Sequence, residues 1–190
     1  VYAAQYEGRE LHFEVECVWR RNMIIRDNET GTLWQHATGT ALVGPLKGTQ
    51  LTLLGGEMML WRTWQAAYPQ TVAAIETNPW RGLIPQKTIT KMLEIATSHA
   101  KLPGKTPTDT RLDPHASIIG VTFNQISCAY PLQKLIQLKH VSQTVDGHSL
   151  ILKYDDSSGA IKVCVDGNPA KFQQMRWSGW YEFYPATKLF

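Results

Sequence analysis

Charge is sparse in this chain and nowhere concentrated. Only 18% of its 190 residues are Asp, Glu, Lys or Arg, and the formal net charge is +3. Arg20-Arg21 and Lys139-His140 never extend into a basic run. Nucleic-acid binding, which draws its affinity from counterion release at clustered Lys and Arg, is set aside as a function class. No apolar run approaches the roughly 20 residues that a bilayer-spanning helix needs, so no transmembrane segment is expected. The start, Val1-Tyr-Ala-Ala-Gln-Tyr6, has neither an initiator Met nor a signal-peptide pattern and reads as a processed or truncated end. Cysteine is equally scarce. The chain has 3, at positions 17, 128 and 164, an odd number without a C-x-x-C pair. Each has apolar neighbours and reads as a small core residue.

The motifs of several chemistries are missing too. The six histidines form no H-x-x-x-H or H-E-x-x-H, and C-x-x-C-H for haem is absent. There is no G-x-S-x-G. Gly44-Pro-Leu-Lys-Gly48 lacks the following helix signal that a phosphate cradle requires. Asp155-Asp156 sits in turn-forming company and reads as a capped turn rather than an acid/base pair. No catalytic residue, metal ligand or cofactor is therefore assigned.

What is present is globular: 43% of residues are hydrophobic, enough to bury a core. Leu11-His-Phe-Glu-Val-Glu-Cys17 alternates apolar and polar side chains, the period of a half-buried strand, and with Tyr2–Tyr6 and Glu7-Gly8 it suggests a hairpin. Further strands are expected at 23–25, 39–43, 51–54, 118–123, 150–154 and 161–165, and Asp27–Gly31 is a turn by composition. Helices are expected at 58–68, 88–100 and 129–139, the last with Pro131 in its first turn. The breaker-rich stretch 101–117 divides a first half, 1–100, from a second, 118–190, unless the whole is one compact domain.

Trp61-Arg-Thr-Trp64-Gln-Ala-Ala-Tyr68-Pro-Gln-Thr71 recurs as Trp177-Ser-Gly-Trp180-Tyr-Glu-Phe-Tyr184-Pro-Ala-Thr187. Upstream, Glu7-Gly8 through Phe13 mirrors Asp166-Gly167 through Phe172. The expected fold is accordingly α+β, mainly β, with two pseudo-repeated β-rich halves, short helices and a long insertion in the first half. That insertion holds Arg26-Asp-Asn-Glu-Thr-Gly-Thr-Leu-Trp-Gln-His36, the stretch densest in side chains able to grip a ligand. Asp27, Glu29, Thr30, Trp34, Gln35 and His36 are the candidate ligand-binding residues, with Trp34 as a stacking wall and Gln35 and the acids fixing polar groups. The alternative is an Asx-type turn capped by Asp27 and Thr30 with Trp34 in the core.

Four segments carry a resemblance: Arg21 through Gln35, Gly39-Thr-Ala-Leu-Val-Gly-Pro-Leu-Lys-Gly48, W-x-x-W-x-x-x-Y-P-x-T and Ala129-Tyr-Pro-Leu132. With Asp109 through Val121 they are similar to a bacterial family known only as domain of unknown function 3179. The resemblance implies an uncharacterised and mostly exported domain with no established reaction. It also implies a Tyr-Cys-x-x-Cys-type segment before the first hairpin, whose counterpart here is Tyr154–Gly159 with Asp155 and Ser158 in place of the cysteines. The first expectation for function is an extracytoplasmic binding or assembly module, non-enzymatic and a candidate subunit of a larger complex. Two alternatives stand beside it: an enzyme, or a redox or metal-binding protein, whose C-x-x-C site precedes Val1, and a carbohydrate-binding module using Trp34.

Overall fold

The computed structural model describes residues 1–19, 22–54, 59–73, 85, 87–88 and 109–190. The fold is α+β and mainly β. Residues 1–60 and 106–190 form one compact unit, and residues 61–105 form another. Among the described residues no helix is long and apolar enough to cross a membrane.

The larger unit contains two four-stranded meanders and a third sheet. The first meander is β3 (Phe13–Trp19), β4 (Asn22–Asp27), β5 (Leu33–Gln35) and β6 (Thr40–Val43), paired in chain order. It is preceded by a two-stranded ribbon, β1 (Gln5–Tyr6) with β2 (Arg9–Glu10), closed by Glu7 and Gly8 at positive φ. The alternating run thus pairs forward with β4, not back with Tyr2–Tyr6, because the tight Glu7-Gly8 turn uses up the pairing at Tyr6 and Arg9. Residues 51–54 meet the chain start instead, through a bridge between Tyr2 and Leu53.

The third sheet is built on β7 (Ser117–Phe123) and β8 (Ile126–Pro131). The second meander is β9 (His140–Val145), β10 (His148–Tyr154), β11 (Ile161–Val165) and β12 (Asn168–Pro169), in spatial order β12-β11-β10-β9. Then β13 (Phe172–Arg176) pairs with β7, and β14 (Lys188–Leu189) runs parallel to β8. Alternation along β7 explains why Ile118, Ile119 and Val121 are all apolar. Ile119 and Val121 enter one core with Cys128, Leu135, Leu150, Leu152 and Val163, while Ile118 joins Ala129, Trp177 and Trp180 on the opposite face. Both faces are covered, so the half-polar pattern of an exposed sheet is lost.

Three seven-residue helices lie among the described residues: α1 (Trp61–Ala67), α2 (Leu132–Leu138) and α3 (Trp177–Phe183). The expected helix at 129–139 is corrected at its start. Ala129, Tyr130 and Pro131 finish β8, Pro131 has the extended ψ of 123°, and helix begins only at Leu132. The expectation for 88–100 lies, beyond its first residue, outside the described residues.

The pseudo-repeat is not confirmed by the strand pairing. Glu7-Gly8 closes the isolated β1–β2 ribbon, whereas Asp166-Gly167 joins β11 to β12 at the edge of a four-stranded sheet. The two Trp elements do share their internal bonds. Trp64 Nε1 donates to Thr71 Oγ1 at 2.8 Å and Trp180 Nε1 to Thr187 Oγ1 at 2.9 Å. Their surroundings differ: α1 has no buried residue, while Trp177 and Trp180 are core.

Candidate functional site

Asp27 closes β4 and is wholly buried. Its N–H donates to Thr32 O and the Gly31 N–H donates back to Asp27 O, both at 3.0 Å. The carboxylate collects the donors of the turn. The Thr30 N–H reaches Oδ1 at 2.6 Å, the Thr30 hydroxyl reaches it at 2.7 Å, and the Trp34 indole N–H reaches Oδ2 at 2.7 Å. Burial alone raises the carboxyl, but the hydrogen bonds from Trp34 and Thr30 outweigh it and hold Asp27 below the usual carboxylate range. Trp34 is also fully buried, with Phe13 perpendicular and Tyr6 tilted against it at 6.2 and 6.5 Å between ring centres. Asp27, Thr30 and Trp34 thus satisfy one another and lock the turn.

Glu29 leaves this cluster. Its carboxylate accepts the His12 backbone N–H at 2.9 Å and lies 2.7 Å from His12 Nδ1, tying the turn to the start of β3. The same contact raises His12 above its ordinary value and lowers Glu29.

Gln35 and His36 follow a different course. Gln35 is buried, and its Oε1 accepts the Ala37 N–H at 3.1 Å. That bond fixes the amide's orientation and leaves Nε2 buried without a partner among the described residues. A buried unpaired donor costs about 1–3 kcal/mol, so this group stands out from its neighbours. Gln35 and the exposed His36 border a cleft of about 650 Å³ within the larger unit. Across it stand Gln173, Gln174 and Met175 of β13, with Phe13 and Asn22 on its walls.

Tyr2 forms one flank. Its hydroxyl donates to Ala37 O at 2.9 Å and receives Gln173 Nε2 at 3.4 Å. Burial, reinforced by the neighbouring Tyr184 and opposed by the Gln173 bond, pushes the Tyr2 hydroxyl up to about 12. The ring packs so closely on Gly39 that a Cβ there would lie 2.5 Å from Tyr2 Cε1. Beyond Tyr2 a second hollow of about 360 Å³ is lined by Thr38, Gln50, Thr52, Thr122, Gln173 and Tyr184. Among the described residues no Asp, Glu, Lys or Arg side chain lines either space.

Of the six residues singled out in the sequence, the structure therefore brings Gln35 and His36 to an open cleft. It places Asp27, Thr30 and Trp34 in a self-satisfied turn and Glu29 on His12. The contribution of Tyr2, Gln173 and Gln174 was missed. Nothing in local sequence signals it, because β13 and the chain start meet only through the pairing of distant strands. Among the described residues no three His, Cys, Asp or Glu side chains gather as a metal site.

No curated protein and no solved structure matches the chain. The family model described as protein of unknown function (DUF3179) matches residues 1–182, and the chain belongs to that family.

Proposed function

We propose that this domain is a non-enzymatic, extracytoplasmic binding module whose ligand is an uncharged, polyhydroxylated molecule of the carbohydrate class, held in the cleft beside Gln35. The single observation that carries this reading is the buried Gln35 Nε2, oriented by the bond to Ala37 and lacking an acceptor among the described residues. A ligand hydroxyl supplies one when the Gln35 amide turns outward into the cleft that it borders. The lining supports the same class. Amides of Gln35, Asn22, Gln173 and Gln174 offer neutral donors and acceptors, and Phe13 and Phe172 provide the apolar surface that a sugar ring face covers. Among the described residues no Asp, Glu, Lys or Arg lines the cleft to offset the desolvation of a charged ligand. The setting outside the cytoplasm rests on the exported habit that the family resemblance implies.

A glycan array carrying neutral and acidic oligosaccharides tests the reading, with Gln35→Met and Gln174→Ala as variants and thermal melting as the check on folding. Retention of neutral glycans by the native chain, lost in both folded variants, is expected. Failure to retain any neutral glycan, or binding indifferent to both substitutions, overturns it.

An assembly role is the second reading, favoured by the edge strand β3, where Val15 and Val18 are 66% and 60% exposed. A seven-residue edge strand with exposed apolar side chains is a template for a partner strand, even with Glu14 and Glu16 interleaved. Sedimentation velocity on the native chain and on Val18→Lys tests it: association that the charge abolishes is expected, and a concentration-independent monomer sinks it.

A further inference from the structure

The Asp27 turn has a twin in the second meander. Asp155 N–H donates to Ala160 O at 2.9 Å and Gly159 N–H to Asp155 O at 2.7 Å, the same two bonds that close Asp27–Thr32. Ser158 Oγ donates to the Asp155 carboxylate at 2.7 Å, as Thr30 does to Asp27. The strand pairs leaving the two turns therefore correspond position by position. Ile25 opposite Trp34 becomes Lys153 opposite Lys162. Val15, across from Ile25, becomes His140, across from Lys153. One frame carries an apolar row; the other sets His140, Lys153 and Lys162 side by side, all exposed.

Directly opposed like charges destabilise an antiparallel pair, and neighbouring strands lie only about 4.8 Å apart. Neither nearby acid forms an ion pair with the row. Asp156 pairs with Lys139, and the Asp155 carboxylate accepts the Ser157 N–H and both serine hydroxyls. The Lys153 and Lys162 side chains make no hydrogen bond or ion pair among the described residues. A concavity of about 410 Å³ lies over the row, lined also by Lys139, Tyr154 and Asp155. The first meander builds the same turn with apolar residues, so the fold itself does not call for cations here.

We propose that His140, Lys153 and Lys162 form a binding site for a tetrahedral oxyanion, a phosphate or sulfate group, free or borne on a larger molecule. Two ammonium groups from facing strands converge on one oxyanion with charge-assisted hydrogen bonds, and His140 adds a ring N–H. The concavity is shallow enough to take a terminal group, and it shares no residue with the Gln35 cleft. Its fate in experiment is therefore independent of the carbohydrate reading.

The test is a titration of the native chain with sodium phosphate and sodium sulfate against sodium chloride at matched ionic strength, followed by amide NMR. Saturable shifts confined to the neighbourhood of residues 140, 153–154 and 160–162 are expected with the two oxyanions alone. Lys153→Gln/Lys162→Gln weakens binding by about tenfold or more for the charged hydrogen bonds removed, and Lys47→Gln leaves it unchanged. In anion-free buffer the double variant melts higher than the native chain, because the opposed charges are gone. A co-sedimentation arm with vesicles containing phosphatidic acid separates the sources: capture that inorganic phosphate displaces assigns a lipid-borne group, and its absence assigns a soluble one. Shifts that follow ionic strength alone, or that persist in the double variant, overturn the site, as does a double variant that melts lower.

Discussion

Replacing Asp27 by asparagine changes one atom and tests whether the buried turn is held as described. Each carboxylate oxygen takes an N–H donor that cannot rotate away: Thr30 N–H on Oδ1 at 2.6 Å and Trp34 Nε1–H on Oδ2 at 2.7 Å. An amide has one acceptor oxygen, so whichever way the substituted side chain turns, one of those N–H groups faces an NH₂. The loss is one unsatisfied buried donor, about 1–3 kcal/mol, together with the weakening of a charged bond to a neutral one. The sum is about 2–4 kcal/mol. With a urea m-value of about 1–3 kcal/mol/M, the unfolding midpoint falls by roughly 0.7–4 M. pH gives a second reading. The folded carboxyl lies below its unfolded value of about 3.9, so its contribution is present above that value and is lost as pH falls through the folded pKa. The gap between native and variant chains should therefore narrow below about pH 4. Urea melts at pH 7 and pH 3.5, with Trp34→Phe completing a double-mutant cycle, provide the measurement. An Asp27→Asn chain within about 0.5 kcal/mol of native at pH 7, or additive effects of the two substitutions, would refute the account.

Gly120→Ala places a Cβ 2.2 Å from Trp180 Cζ3 against a rigid indole, so calorimetry should show a loss of about 1–3 kcal/mol or more from overpacking. Thr187→Val strips the buried Trp180 indole of its acceptor and should cost about 1–3 kcal/mol; Thr71→Val, at the exposed counterpart, should stay within about 0.5 kcal/mol, both read by urea titration. His12 should titrate above its ordinary pKa in an NMR pH series and return toward it in Glu29→Gln. The folded His12 pKa is raised and that of Glu29 lowered, so any stabilisation from this contact holds between the two and fades as pH rises through the first or falls through the second.

Where the sequence was legible, the controlling interactions were local. Alternation along Leu11–Cys17 marked the strand β3 but not its burial, since Val15, Cys17 and Val18 are exposed there, while Asp27–Gly31 announced a turn whose Asx-type bonds, with Trp34 in the core, are those found. Ala129-Tyr-Pro131 misled because a proline that opens a helix and one that ends a strand have the same φ; the choice lies in ψ, and here pairing with Ile118 decided it. The cleft was out of reach, since Gln35 meets Gln173 and Gln174 only after β13 has paired with β7, far along the chain. The cation row was equally hidden. His140, Lys153 and Lys162 are ordinary scattered charges until strand register sets them abreast.

The two Trp elements show why a repeated string of residues misreports its surroundings. A seven-residue helix is too short to hold itself in water. In both elements the indole N–H bonds a Thr seven residues on, and a Tyr ring lies beside it, 4.5 Å away for Trp64–Tyr68 and 4.1 Å for Trp180–Tyr184. The shared residues thus encode a local closure that supports the helix from within. Burial is decided by what the rest of the chain offers. At Trp180 the third sheet has Gly120, whose missing Cβ leaves room for the ring, and Ile118 and Ala129 complete the receiving surface. Identity between the elements follows from the demands of closure, and it carries no information about the partner surface, which lies in residues the repeat does not include.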